Sequence, residues 1–166
     1  MAFVNDHFDK KETISLHFSK WFSLKYGKML LKNIYYGLPG GAFSAFHNFH
    51  IPSSMLRSTY ETVWKLEPKV LHQTCITKFR ELSDVNQYVM TYYQLCAGNF
   101  VPRRADFSQF YTIGQNDRAM YEDILTHRHK LICLNDDPGK QDIDAEKEGL
   151  VRVFEQAFPD KSAFER

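Results

Sequence analysis

The chain has 166 residues, enough for one domain with a real core. Its 43% apolar and 25% charged residues are ordinary for a globular protein, and a net charge of +1 gives no electrostatic case for nucleic acid. Three widely spaced cysteines (Cys75, Cys96, Cys133) form no CxxC pair and point to a reducing, cytoplasmic setting. Aromatics make up 15%, for which core packing is the default reading.

Taken in order, Phe3 to Phe8 is a short apolar-polar piece without an obvious cap. The N-terminus has no basic region followed by an apolar one, so no signal peptide is expected, and no apolar run is long enough for a transmembrane helix. From Lys11 to Tyr26, Ile14, Phe18, Trp21 and Phe22 recur at helical spacing, and Gly27 ends the predicted helix. A second short helix is predicted over Met29 to Tyr36. Gly37, Pro39, Gly40 and Gly41 then break the chain.

Beyond the break, residues before Pro52 are expected to be extended, with Pro52 in the first turn of a helix carrying Met55, Leu56, Tyr60, Val63 and Trp64. Glu67-Pro68 is expected to stop it. His50 would then lie just ahead of a helix N-terminus, where amides and dipole favour an anion such as phosphate. A packed histidine bonded to backbone is the other reading.

Thr74 to Arg80 alternates weakly. If extended, Lys78 and Arg80 would share a face and suit a diphosphate; a solvated basic turn is the plainer alternative. Asp84 to Gln87 has the form of a capping box, with a helix through Val89, Tyr92, Tyr93 and Cys96 to a C′ glycine at Gly98. Phe100 to Gly114 reads as irregular. Asn116-Asp117 opens another helix through Ala119, Met120, Ile124 and Leu125; His127, Arg128 and His129 suit its dipole, and no catalytic role is assigned to them.

That helix leads into Leu131-Ile132-Cys133-Leu134, which reads as a short buried strand at about 130–134. Asn135, Asp136 and Asp137 follow at its carboxyl end, where ligands gather in α/β proteins. A carboxylate pair there can hold Mg²⁺ or a ribose hydroxyl, and the same residues can simply make an Asx-Pro turn. A helix over Ala145 to Ala157 closes the pattern. The expectation is a mainly helical α/β fold, read as a single domain over residues 1–166 and as part of a larger α/β catalytic domain.

Several motifs agree in order and spacing. His50-Ile51-Pro52 is followed by Thr74-Cys75-Ile76-Thr77-Lys78-Phe79-Arg80, then Asp84-Val85 and a tyrosine-rich stretch. Cys133-Leu134-Asn135-Asp136 is followed by a helix and Phe158-Pro159-Asp160-Lys161-Ser162-Ala163-Phe164-Glu165. Together they resemble the Stealth family of sugar-phosphate transferases. The first set is similar to its third conserved region (about 47–100) and the second to its fourth (about 128–166). Ser19 to Lys28 is also similar to the connecting segment of bacterial members. The Val-Asp-Gly motif and the acidic stretch of the first two regions are not found, so the chain looks like the C-terminal portion of a member.

The resemblance implies transfer of a sugar-1-phosphate from a UDP-sugar, such as UDP-N-acetylglucosamine, to a hydroxyl of a glycan acceptor in capsular or exopolysaccharide synthesis. It implies His50 and Arg80 as catalytic residues and Lys78, Asn135 and Asp136 as substrate-binding ones, with Asp84 in a lesser role. Mg²⁺ would be the cofactor and Asp136 its ligand. A missing N-terminal half or a companion chain would complete the site, in the cytoplasm or at the inner face of the membrane. An inactive relic and a non-catalytic nucleotide-sugar or glycan-binding module are the alternatives.

Overall fold

A computed structural model describes residues 1–38, 40–48, 52–136, 139 and 143–164. The residues group into two compact units, one built on Met1–Asn48 and Ser53–Ala105, the other on Asp106–Arg166. The chain is mainly helical with a small parallel sheet, an α/β fold as the sequence suggests.

The first unit is all helical. It opens with α1 (Ala2–His7), where the sequence shows only a short piece without a cap. Val4 makes that helix viable by being 1% exposed, packed with Phe43 and Cys96 among Phe3, Phe8, Phe46 and Tyr92. Burial also pushes the Cys96 thiol up to about 12, so it acts as a packing group.

The single helix expected over Lys11 to Tyr26 is broken into α2 (Lys10–Leu16), α3 (Phe18–Trp21) and a 3-10 turn over Leu24–Met29. Asp9 starts α2 by accepting a bond from the Glu12 amide at 2.8 Å. His17 and Phe22 leave helical geometry at the breaks, and Gly27 turns left-handed at φ 55°. The apolar spacing does not mark one inward face across these kinks: Thr13 is buried while Phe18 is exposed. Next comes α4 (Leu30–Gly37), close to the predicted second helix.

Helix α5 (Arg57–Leu66) starts later than Pro52, for a reason the sequence conceals. The buried Gln94 amide accepts from the Leu56 amide (2.9 Å) and the Thr59 hydroxyl (3.2 Å), and donates to the Ser54 carbonyl (3.1 Å). These bonds hold 54–56 extended and cap α5 from outside. Pro68 does end α5, but it also occupies the first turn of α6 (Pro68–Ile76), so Thr74 to Ile76 is helical, in a stretch whose alternation was weak.

Helix α7 (Tyr88–Cys96) begins after, not at, Asp84. The Asp84 side chain instead accepts from the Glu81 amide at 2.8 Å, closing a local turn. The other end agrees with the sequence. Gly98 has φ 71°, and the amides of Gly98 and Asn99 bond the carbonyls of Leu95 and Gln94, both at 3.0 Å. That pairing is a Schellman ending. Side chains of Val63, Leu71 and Met90 join α5, α6 and α7 in a second apolar cluster.

The second unit is a βαβ turn with a covering helix. Strand β1 (Ser108–Thr112) lies in a stretch expected to be irregular. It pairs in parallel with β2 (Leu131–Asn135), Tyr111 beside Leu134 and Thr112 beside Asn135. Helix α8 (Asp117–Thr126) makes the crossover and packs on α9 (Ile143–Ala157). Leu131 to Leu134 are half-buried and Asn135 is exposed. Met120, Asp123 and Ile124 form the buried side of α8.

Candidate functional site

The expected site residues fall in both units. His50 lies outside the described residues, which run to Asn48 on one side and resume at Pro52 on the other. On one side Asn5 bonds both the amide and the carbonyl of Phe43, at 2.8 and 3.0 Å. Phe46 stacks on Tyr92 at 4.7 Å, and the Tyr92 hydroxyl donates to Asn48 at 2.8 Å. On the other side Gln94 holds Ser54 and Leu56. Both flanks of the His50-Ile51-Pro52 stretch are therefore tied to one helix, α7.

Lys78 and Arg80 lie on an exposed loop that follows α6. The chain bends at Lys78 and Phe79, so strand alternation does not place the two cations. The loop is fixed at its ends. Thr77 donates to the Gln73 carbonyl at 2.8 Å, and the Val85 amide donates to the Thr74 hydroxyl at 3.1 Å. Lys78 sits over the Phe79 ring, 5.5 Å from its centroid. Among the described residues no ion pair engages Arg80, so its five donors face solvent, open to an anion.

Asn135 and Asp136 stand exposed at the carboxyl end of β2, where the sequence puts them. The Asn135 amide nitrogen donates to the Asp136 carbonyl at 2.8 Å. Among the described residues no three His, Cys, Asp or Glu side chains cluster to hold a metal. The Asp136 carboxylate is nevertheless a hard oxygen donor open to solvent, which suits Mg²⁺, an ion that takes one or two carboxylates and fills its shell with water and phosphate oxygens.

Sequence reasoning missed the most ordered polar group of the second unit. Asp123, 1% exposed, projects from α8 between two other elements. Its carboxylate accepts from the Tyr111 hydroxyl of β1 at 2.8 Å, from the His129 amide at 2.9 Å and from the His129 ring at 2.5 Å. Burial pushes this carboxyl up, but the His129 amide, the Tyr111 hydroxyl and the His129 ring outweigh it and hold the carboxyl below its ordinary value. Burial first, then the bond to Asp123 and its charge, push Tyr111 up to about 12. One carboxylate thus ties β1, α8 and the entry to β2 together, and so fixes the strand that ends in Asn135 and Asp136. The His-Arg-His end of α8 hinted at it, but an aspartate six residues earlier reads as a solvent charge until the fold turns it inward.

Residues 122–166, a span that takes in Asp123, His129, Asn135 and Asp136, match the model of Stealth protein conserved region 4. This end of the chain carries Stealth conserved region 4, and the chain resembles the Stealth family. Over 166 residues it is 36% identical to a capsular polysaccharide phosphotransferase of Streptococcus pneumoniae, covering 100% of this chain and 49% of that protein. It is 30% identical to a receptor polysaccharide phosphotransferase of Streptococcus gordonii over 99% of this chain and 49% of that protein. An exopolysaccharide phosphotransferase of Lactiplantibacillus plantarum gives 30% over 98% and 48%. The chain thus spans about half the length of these relatives. No solved structure matches it. Among the described residues no helix is long and apolar enough to cross a membrane.

Proposed function

We propose that this chain carries part of the active site of a phosphotransferase of capsular or exopolysaccharide synthesis. The reaction moves a sugar-1-phosphate from a UDP-sugar to a glycan hydroxyl. The observation that carries the reading is identity along the whole chain to a capsular polysaccharide phosphotransferase. The open Lys78–Arg80 loop supplies a chemical fit.

In this reading the acceptor oxygen attacks the phosphorus that bears the sugar. A new P–O bond forms, the bond to the bridging oxygen of the diphosphate breaks, and UMP leaves with that oxygen. The acceptor proton passes to His50, since an imidazole can act as a base at neutral pH. Arg80 clamps nonbridging oxygens and follows their charge into the transition state, with Lys78 beside it as a second cation. Asn135 and Asp136 hold the donor. Mg²⁺, bound at Asp136, would add charge neutralisation at the diphosphate. Asp123, Tyr111, His129, Tyr92 and Gln94 position these groups and take no part in the bond changes.

The test is calorimetric titration of the chain with UDP-N-acetylglucosamine, with and without Mg²⁺, paired with a UMP-release assay in the presence of a glycan acceptor. Arg80→Ala is expected to lose on the order of 10²–10³ in turnover while its unfolding curve stays put. An Arg80→Ala chain that releases UMP at the parental rate would remove Arg80 from the site. Donor binding without UMP release would instead favour the binding-module reading.

A further inference from the structure

Helix α4 is built inside out. Its inward side is polar or small: Asn33 donates to the Trp21 carbonyl at 3.0 Å, and Gly37 lies so close to Phe22 that a β-carbon there would sit 2.7 Å from the ring. Its outward side is apolar. Leu31, Ile34, Tyr35 and Leu38 recur at i, i+3, i+4 and i+7, which makes one stripe, and they are 72%, 45%, 69% and 54% exposed. Phe18, also exposed, faces the same end of α4 across a groove of about 200 Å³ whose rim carries Lys10 and Lys11.

The charge around this stripe is one-sided. Between Glu12 and Glu61 the chain has no aspartate or glutamate, yet it carries Lys20, Lys25, Lys28, Lys32 and Arg57, in a protein whose net charge is only +1. Lys20 is turned inward onto the Gly98 carbonyl, whereas Lys32 on α4 and Lys25 and Lys28 on the 3-10 turn before it are exposed. A soluble surface of this kind normally mixes both signs. Exposed leucine, isoleucine and tyrosine with exposed lysines on the same helix and on the turn before it are the arrangement by which a helix lies in a lipid headgroup layer.

We propose that the α4 face docks the protein on an anionic phospholipid surface. The apolar stripe enters the headgroup layer, and Lys25, Lys28 and Lys32 meet the lipid phosphates. The charge pattern selects this occupant over a neutral one, because the exposed Lys25, Lys28 and Lys32 gain nothing from a zwitterionic or uncharged partner.

The experiment is co-sedimentation of the purified chain with vesicles of phosphatidylglycerol in phosphatidylcholine, and with phosphatidylcholine alone, at two salt concentrations. The chain is expected to pellet with the anionic vesicles, less at high salt, and to stay in solution with neutral ones. Leu31→Glu/Tyr35→Glu and Lys28→Glu/Lys32→Glu should each weaken partitioning by roughly ten-fold or more, at about five-fold per lysine. Circular dichroism checks that both variants fold; if the first does not, the lysine pair and the salt series decide. Absent pelleting, equal pelleting with neutral vesicles, or folded variants that bind like the parent each overturn the proposal. So does a dimer that Leu31→Glu/Tyr35→Glu dissociates in a chain that ignores vesicles, since the stripe would then be a protein interface.

Discussion

Replacing Asp123 by alanine removes one acceptor and strands three donors at a site only 1% exposed: the Tyr111 hydroxyl, the His129 amide and the His129 ring. A hydrogen bond to a charged group contributes about 1.5–3 kcal/mol, so three give an upper bound of roughly 4.5–9 kcal/mol. Two of the three come from one residue and are not independent. Loss of one partner from a buried pair costs about 3–5 kcal/mol, and that is the expected effect here. Set against a typical domain stability of about 5–15 kcal/mol, the second unit should be close to unfolding. Urea titration followed by circular dichroism reads the loss. Hydrogen exchange at Ile132 to Leu134 locates it in β2, and Trp21 and Trp64, both in the first unit, serve as a fluorescence control. The sign with pH is also fixed. The Asp123 carboxyl is held below its ordinary value, so its contribution is complete above the unfolded carboxylate range near pH ~4 and fades as pH falls through the folded value. The gap between parent and Asp123→Asn should therefore narrow in acid. A loss under ~1 kcal/mol for Asp123→Ala at neutral pH refutes the reasoning.

Two further substitutions probe the first unit. Gly98→Ala should destabilise by about 1–3 kcal/mol, because Gly98 has φ 71° and the His17 ring fills the space of a β-carbon. Gly41→Ala, at φ 67° with open space around it, carries the backbone strain alone and should cost less, so equal unfolding midpoints would contradict the role given to His17. Gln94→Leu leaves the Leu56 amide and the Thr59 hydroxyl without their acceptor and should cost about 2–3 kcal/mol in a thermal or urea melt.

What the sequence discloses is what is local. Gly98 after a tyrosine-rich run announces a helix end, and Leu131 to Leu134 announces a strand, because the backbone preference and the signal lie within a few residues. Strand β1 is not announced. Ser108 to Thr112 becomes a strand only by pairing with β2 some twenty residues later, and a parallel pair leaves no turn signal between its strands. Pro68 shows a different limit: the same proline can end one helix and begin the next, and the sequence alone favoured the first role. For the site, Lys78, Arg80, Asn135 and Asp136 were named from motifs, and the structure leaves all four exposed. The Gln94 and Tyr92 bonds beside the His50 stretch and the Asp123 group behind Asn135 were invisible because each acts across the fold on a partner from another element.

The double tie to α7 bears on kinetics as well as on architecture. Asn48 and Ser54 are six residues apart and both are held, through Tyr92 and Gln94, by residues two apart on one helix. Closing so short a loop carries its entropic cost when α7 folds, not when a substrate arrives. Under the role proposed for His50, a change at Gln94 that the melt tolerates should consequently appear in turnover as a lower fraction of molecules ready to react, with the chemistry itself unaltered.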